Sequence, residues 1–244
     1  MNNRVIDART LARDVPGLFE IVFPGLTPGL VAHYNSTRYF IGNDPINDEE
    51  VRRADINAAL LFEIACVRTD RSLLDIEFEN PEACLEEAWH RQSKFYDARH
   101  VSSIGNHEWN LASRVSDSLL SFLRQQSRQS ESKISSAPLI HGYQWIGNSR
   151  GDYSIGNRII EVKCSAGNFS GADYRQVLIY WMLSLISEIE GQGTAWKEAS
   201  LINPRRCVAV DLDLENFLVV AGRGASKVEM VQRFASVIGE RANK

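Results

Sequence analysis

The chain has few cysteines, and they are not grouped. Cys66, Cys84, Cys164 and Cys207 are scattered through 244 residues and no two share CxxC spacing, which argues against a zinc ribbon. A basic excess is also missing. The 27 Lys and Arg stand against 31 Asp and Glu, a formal net charge of -4, so a nucleic acid would have to meet a local basic face or arrive with a partner protein. The longest apolar run, Val177 to Leu183, falls well short of the ~20 residues of a bilayer span. The N-terminus, Met1-Asn2-Asn3-Arg4, carries no secretory pattern. With Cys164 as a reduced thiol on a buried strand, a cytoplasmic setting is expected. His33, His90, His100, His107 and His141 share no metal-binding spacing, and neither a glycine-rich phosphate loop nor a nucleophile elbow is visible.

The hydrophobic content of 44% suffices for one large domain, or a medium one with an extension. Strands are predicted at Phe19–Phe23 and Arg38–Ile41 from alternation and aromatic content. A helix is predicted from Asn47, with Glu50 as capping-box partner, to Cys66. Asn80-Pro81 opens another toward Tyr96. Leu111, Val115, Leu119, Phe122 and Leu123 share one face of a helix from Asn106 to Arg124. The serine-rich stretch Gln125 to Ala137 reads as a loop. Strands follow at Leu139–Ile146, Asp152–Ile155 and Arg158–Cys164, with turns at Gly147-Asn148 and Gly156-Asn157. A buried helix spans Asp173 to Glu190. Strands are expected at 201–203, 207–212 and 216–221. A closing helix, with Ser226 and Glu229 as its capping box, presents Val228, Val231, Phe234, Ala235 and Ile238. Helix, three strands, helix, strands and helix predict an α/β fold with a central mixed sheet flanked by helices. Residues 1–103 are expected as a mostly helical extension for packing, dimerisation or partner contact, and residues 104–244 as the main domain.

Chemistry concentrates in Gly151-Asp152-Tyr153-Ser154-Ile155-Gly156-Asn157-Arg158-Ile159-Ile160-Glu161-Val162-Lys163. Read as a hairpin, it brings Asp152 beside Glu161 and Lys163, which lie two apart on one strand face. Two carboxylates and an ammonium in one cleft form a set that phosphodiester hydrolysis uses: hard oxygens for a divalent metal and a cation beside water and phosphate. Aspartate is common in turns, and Glu-x-Lys often forms a surface ion pair. The apolar neighbours Ile159, Ile160 and Val162 argue instead for a central strand, where charges need partners. Gln176 and Tyr180, one turn apart, fit either a capping partner and a core tyrosine or two groups facing the cleft.

These residues resemble the PD-(D/E)XK nuclease superfamily. Gly151-Asp152 and Glu161-Val162-Lys163 match its motif, and Gln176-Val177-Leu178-Ile179-Tyr180 looks like the Gln-xxx-Tyr motif of the RecB-like branch. The resemblance covers residues 104 to 244 and implies a restriction-endonuclease-like core. It implies Asp152, Glu161 and the Val162 carbonyl as ligands for Mg²⁺ or Mn²⁺, with Glu108 as an outer ligand. Lys163 would orient the attacking water, and Gln176 and Tyr180 would steady the site. Gly151 replaces the usual proline, and the iron–sulfur cysteines of some relatives are missing. Arg150, Arg158, Arg175, Arg205 and Arg206 are candidate phosphate contacts. The implied activity is metal-dependent hydrolysis of DNA, ahead of RNA, in defence, restriction or repair. The alternative is a non-catalytic subunit that keeps the fold as a binding or assembly module.

Overall fold

A computed structural model describes residues 6–15, 17–42, 44–75, 80–93 and 101–242. In chain order the elements are α1 (Ala8–Asp14), α2 (Leu18–Val22), α3 (Pro28–Ser36), β1 (Tyr39–Phe40), α4 (Asp48–Arg52), α5 (Ala58–Leu73), α6 (Pro81–Gln92), α7 (Asn106–Ser130), β2 (Ile134–Ser136), β3 (Leu139–Ile140), β4 (Ser149–Arg150), β5 (Tyr153–Ile155), β6 (Arg158–Val162), α8 (Gly171–Ile189), β7 (Glu198–Asn203), β8 (Val208–Asp213), α9 (Leu214–Ala221) and α10 (Lys227–Ala242).

Six strands form one mixed sheet in the order β1-β8-β7-β6-β5-β2. Among the described strands of this sheet, only β6 and β7 pair in parallel, and α8 is the crossover between them; a parallel neighbour cannot be reached by a hairpin. Gly156, at φ 57°, opens the two-residue β5–β6 turn, where positive φ is needed. Strand alternation splits the core. Ile159, Leu201 and Val210 face α8, α1, α9 and α10, whereas Ile160, Ile202 and Ala209 face Leu119, Phe122 and Leu123 of α7. A third cluster joins α5 and α6 to Leu111, Ala112 and Val115 of α7. Among the described residues, no helix is long and apolar enough to cross a membrane.

The N-terminal part packs into these same layers. Ala8, Leu11 and Ala12 of α1 belong to the core around α8, and β1 extends the sheet beside β8.

Several local expectations are corrected. Phe19–Phe23 lies largely in α2, where Leu18, Phe19 and Val22 bury one helical face and Ile21 is exposed. The single helix expected from Asn47 is two: Asn47 and Glu50 make their capping box on α4, and Asn57 caps α5 separately. Helix α7 runs six residues past Arg124, and β2 follows within the expected loop. The first strand of the meander is therefore β2, which pairs with β5, while β3 pairs with β4 outside the main sheet. Residues 216–221 belong to α9, because Asp213 accepts hydrogen bonds from the Glu215 and Asn216 N–H groups and starts a helix. In α10 the buried face is Met230, Phe234 and Ile238, and Val228 is exposed. The expected helix end at Tyr96, and His100, lie outside the described residues.

Candidate functional site

The site grows from strand register. Tyr153 pairs with Ile160, so Asp152, one step before β5, lies opposite Glu161 at the end of β6. Asp152 Oδ2 accepts the Val162 N–H at 2.8 Å, which locks the aspartate to the strand. Gly151 donates its N–H to the Pro138 carbonyl at 3.0 Å. A proline there would lose that bond, which argues against proline at this position. A Cβ on Gly151 would also come within 2.8 Å of Ile159.

Glu161 is 1% exposed. Its Oε1 accepts Lys163 Nζ at 2.7 Å and Gln176 Nε2 at 2.7 Å. Gln176 Oε1 accepts Lys163 Nζ at 2.9 Å, and Gln176 Nε2 donates to Tyr180 Oη at 2.7 Å. The capping box of α8 is Ser170 with Asp173, so Gln176 is not used as a cap and is left to bond Glu161 and Lys163 from behind the cleft lining. Burial first, and then the charge of Asp152, push the Glu161 carboxyl up to about 7, against the pull of Lys163 and Arg9. Glu161 Oε2 is buried without a hydrogen-bond partner. Such an oxygen is expensive unless a cation or water satisfies it.

The other wall is N-terminal. Arg9 of α1 places one Nη2 2.6 Å from Asp152 Oδ1 and 3.9 Å from Glu161 Oε1, and its Nε donates to Tyr180 Oη at 3.3 Å. Burial pulls the Arg9 guanidinium down, but the charges of Asp152 and Glu161 outweigh it and hold the group above its ordinary value. Glu63, Cys66 and Asp70 of α5 and Arg91 of α6 complete a cleft of about 280 Å³. Arg91 bonds Asp70 at 2.8 Å and Glu87 at 2.7 Å. Asp70 also accepts from Tyr153 Oη and Ser136 Oγ. Burial raises the Glu63 carboxyl, and burial pushes the Cys164 thiol up to about 12 and the Cys66 thiol upward as well. Thiols raised in this way are poor nucleophiles at neutral pH.

Of the expected site residues, Asp152, Glu161, Lys163, Gln176 and Tyr180 are joined in one hydrogen-bonded network through Arg9. Val162 lines the same cleft. Glu108 does not line it: its Oε1 accepts the Asp55 N–H at 2.8 Å, which fixes the turn before α5. The five arginines do not make one basic face. Arg150 donates to the carbonyl of Ala137, a cleft residue. Arg158 is taken by Glu198 and Asp211. Arg205 is buried against Asp48. Arg206 holds Asn168, and Arg175 lies over the Phe19 ring. Arg175 and Asn168 line a separate, larger cavity of about 470 Å³ with no carboxylate in its wall; the smaller cleft is where Asp152, Glu161 and Lys163 converge. The described histidines line no part of that cleft.

Sequence reasoning missed Arg9, Glu63, Asp70 and Arg91 as cleft residues. Nothing local marks them, since each reaches the cleft by helix docking. Among the described residues, no group of three or more His, Cys, Asp or Glu is placed to hold a metal. Two opposed carboxylates, Asp152 and Glu161, are the groups that could hold an ion there, and so small a set would suit one that keeps several waters, as Mg²⁺ does. Comparison with family models, with curated proteins and with solved structures returns no match.

Proposed function

We propose that this protein is a metal-dependent nuclease with a restriction-endonuclease-like core, hydrolysing phosphodiester bonds in DNA. The order α7, then β2, β5 and β6, then α8 and the parallel strand β7 supports that core. The observation that carries the activity is the Glu161 carboxylate: deeply buried, one oxygen unpartnered, opposite a second carboxylate and beside an ammonium.

Asp152 and Glu161 would hold the metal. Mg²⁺ or Mn²⁺, when bound, would supply Lewis-acid activation of the attacking water and neutralise phosphate charge. The cleft lining carries Glu63, Asp70, Asp152 and Glu161 against Arg9, Arg91 and Lys163, so it offers a phosphate no positive excess; a divalent cation would supply one. Lys163 lies between Glu161 and Gln176 and offers a fixed cation to the charge that builds on phosphate. Gln176 orients both Lys163 and Glu161, and Tyr180 holds Gln176 from below. Arg150, at the rim beside Ala137, is the best placed of the five arginines for the nucleic-acid backbone.

Labelled single- and double-stranded DNA and RNA, incubated with Mg²⁺ and with Mn²⁺, test the proposal. Cleavage of DNA that disappears in Lys163→Ala is the expected result; equal cleavage by that variant would remove it. A non-catalytic binding module is the second reading, and one observation favours it: Arg9 already neutralises Asp152 within the chain. That reading expects no thermal stabilisation by Mg²⁺, whereas the nuclease gains stability with metal and loses the gain in Asp152→Ala.

A further inference from the structure

Arg9 stands where two demands meet. Its guanidinium lies on the carboxylates that a metal would need, and its side chain is 45% exposed in an open cleft. The backbone that carries it is pinned. Asp7 caps α1, the Ala8 N–H donates to Ser149 Oγ at 2.8 Å, and Ala8, Leu11 and Ala12 are buried. Any movement of Arg9 is therefore a side-chain swing about a fixed helix. The other cleft cations are committed: Arg91 to Asp70 and Glu87, Lys163 to Glu161 and Gln176.

We propose that Arg9 is a working member of this site with two stations: on Asp152 while the carboxylates lack a metal, and on a phosphate oxygen of the substrate once a divalent cation holds them. This rests on reading Asp152 and Glu161 as metal ligands. A divalent ion removes the charge that holds Arg9 to Asp152. The guanidinium keeps its Nε bond to Tyr180, and its Nη groups are left as a planar fork suited to phosphate. Arg9 thus competes with the metal and cooperates with the nucleic acid. A purely structural residue has no reason to push these two affinities in opposite directions.

The test uses the full chain. Metal affinity is measured calorimetrically with Mn²⁺ alone, and binding of a short labelled DNA by anisotropy in Ca²⁺. Arg9→Gln should bind Mn²⁺ about fivefold more tightly than wild type and DNA about fivefold less tightly, as expected for losing one partly exposed charge contact. Arg9→Lys keeps the charge and loses the fork, so Mn²⁺ affinity should stay near wild type while DNA affinity falls. It also serves if the glutamine variant fails to fold. Unchanged or weaker Mn²⁺ binding in Arg9→Gln, or a DNA affinity that does not fall in either variant, overturns the role of Arg9. If wild type binds no divalent ion, the metal-site reading falls and takes this proposal with it. If the variants shift as expected but no DNA is cut, Arg9's role stands and only catalysis is lost.

Discussion

The two walls of the cleft are built differently. One comes from a single stretch, Asp152 to Lys163, backed by buried Gln176 and Tyr180 of α8, in which hairpin register and helix period place every group. The other gathers Arg9, Glu63, Asp70 and Arg91 from three separate helices. Local geometry fixes the first wall; long-range docking fixes the second. The reactive groups should therefore sit on the first, with the second tuning charge and access.

The sharpest way to break that contrast is catalytic. Asp152→Ala, Glu161→Ala and Lys163→Ala should each lower single-turnover DNA cleavage by about 10²–10³-fold. Glu63→Gln and Arg91→Gln on the docked wall should cost no more than about tenfold. Equal losses on both walls would erase the distinction.

The docking itself is tested at Leu11, buried between α1 and α8. Leu11→Ala should cost about 2–5 kcal/mol in urea unfolding, through lost burial and the cavity left behind.

A pH experiment probes the strand-built wall. Burial raises Glu161 to about 7 in the fold from an ordinary value of 4.5, so the metal-free native state holds that proton more tightly than the unfolded chain does. The stabilisation is complete below about pH 4.5 and is lost as pH rises through about 7. Glu161→Gln should flatten this slope and be more stable than wild type at about pH 8. An unchanged slope in that variant would assign it to other groups.

The smallest expected effect returns to the docked wall. Asn57 caps α5, the helix that carries Glu63 and Asp70. Asn57→Ala should cost about 1 kcal/mol of stability, seen as a lower urea midpoint, with metal affinity unchanged.

What the sequence made legible follows the same division. Asp152, Glu161, Lys163, Gln176 and Tyr180 could be brought together from strand alternation, one turn and one helical step. Layer order was also readable, because Ile159 and Ile160 must face opposite ways. The short elements were not. Phe19, Ile21 and Phe23 fit strand alternation until Gly17 and the core around α8 select a helix that buries Leu18, Phe19 and Val22, and residues 216–221 look extended until the Asp213 cap is counted. Glu108 drew a metal role from its place on α7, yet its carboxylate is used by the Asp55 amide. Arg9 carried no signal, since nothing near it in sequence says that α1 lies on α8.

The α1–α8 contact has a practical consequence. The middle of α8, Val177 to Ile186, is hidden from solvent throughout, and part of its cover comes from Ala8, Leu11, Ala12 and Val15. A fragment starting at residue 104 would uncover one side of that greasy strip, and it should clump on expression rather than behave as an independent module. Anyone grafting this cleft onto another protein must carry the amino-terminal turns along with it.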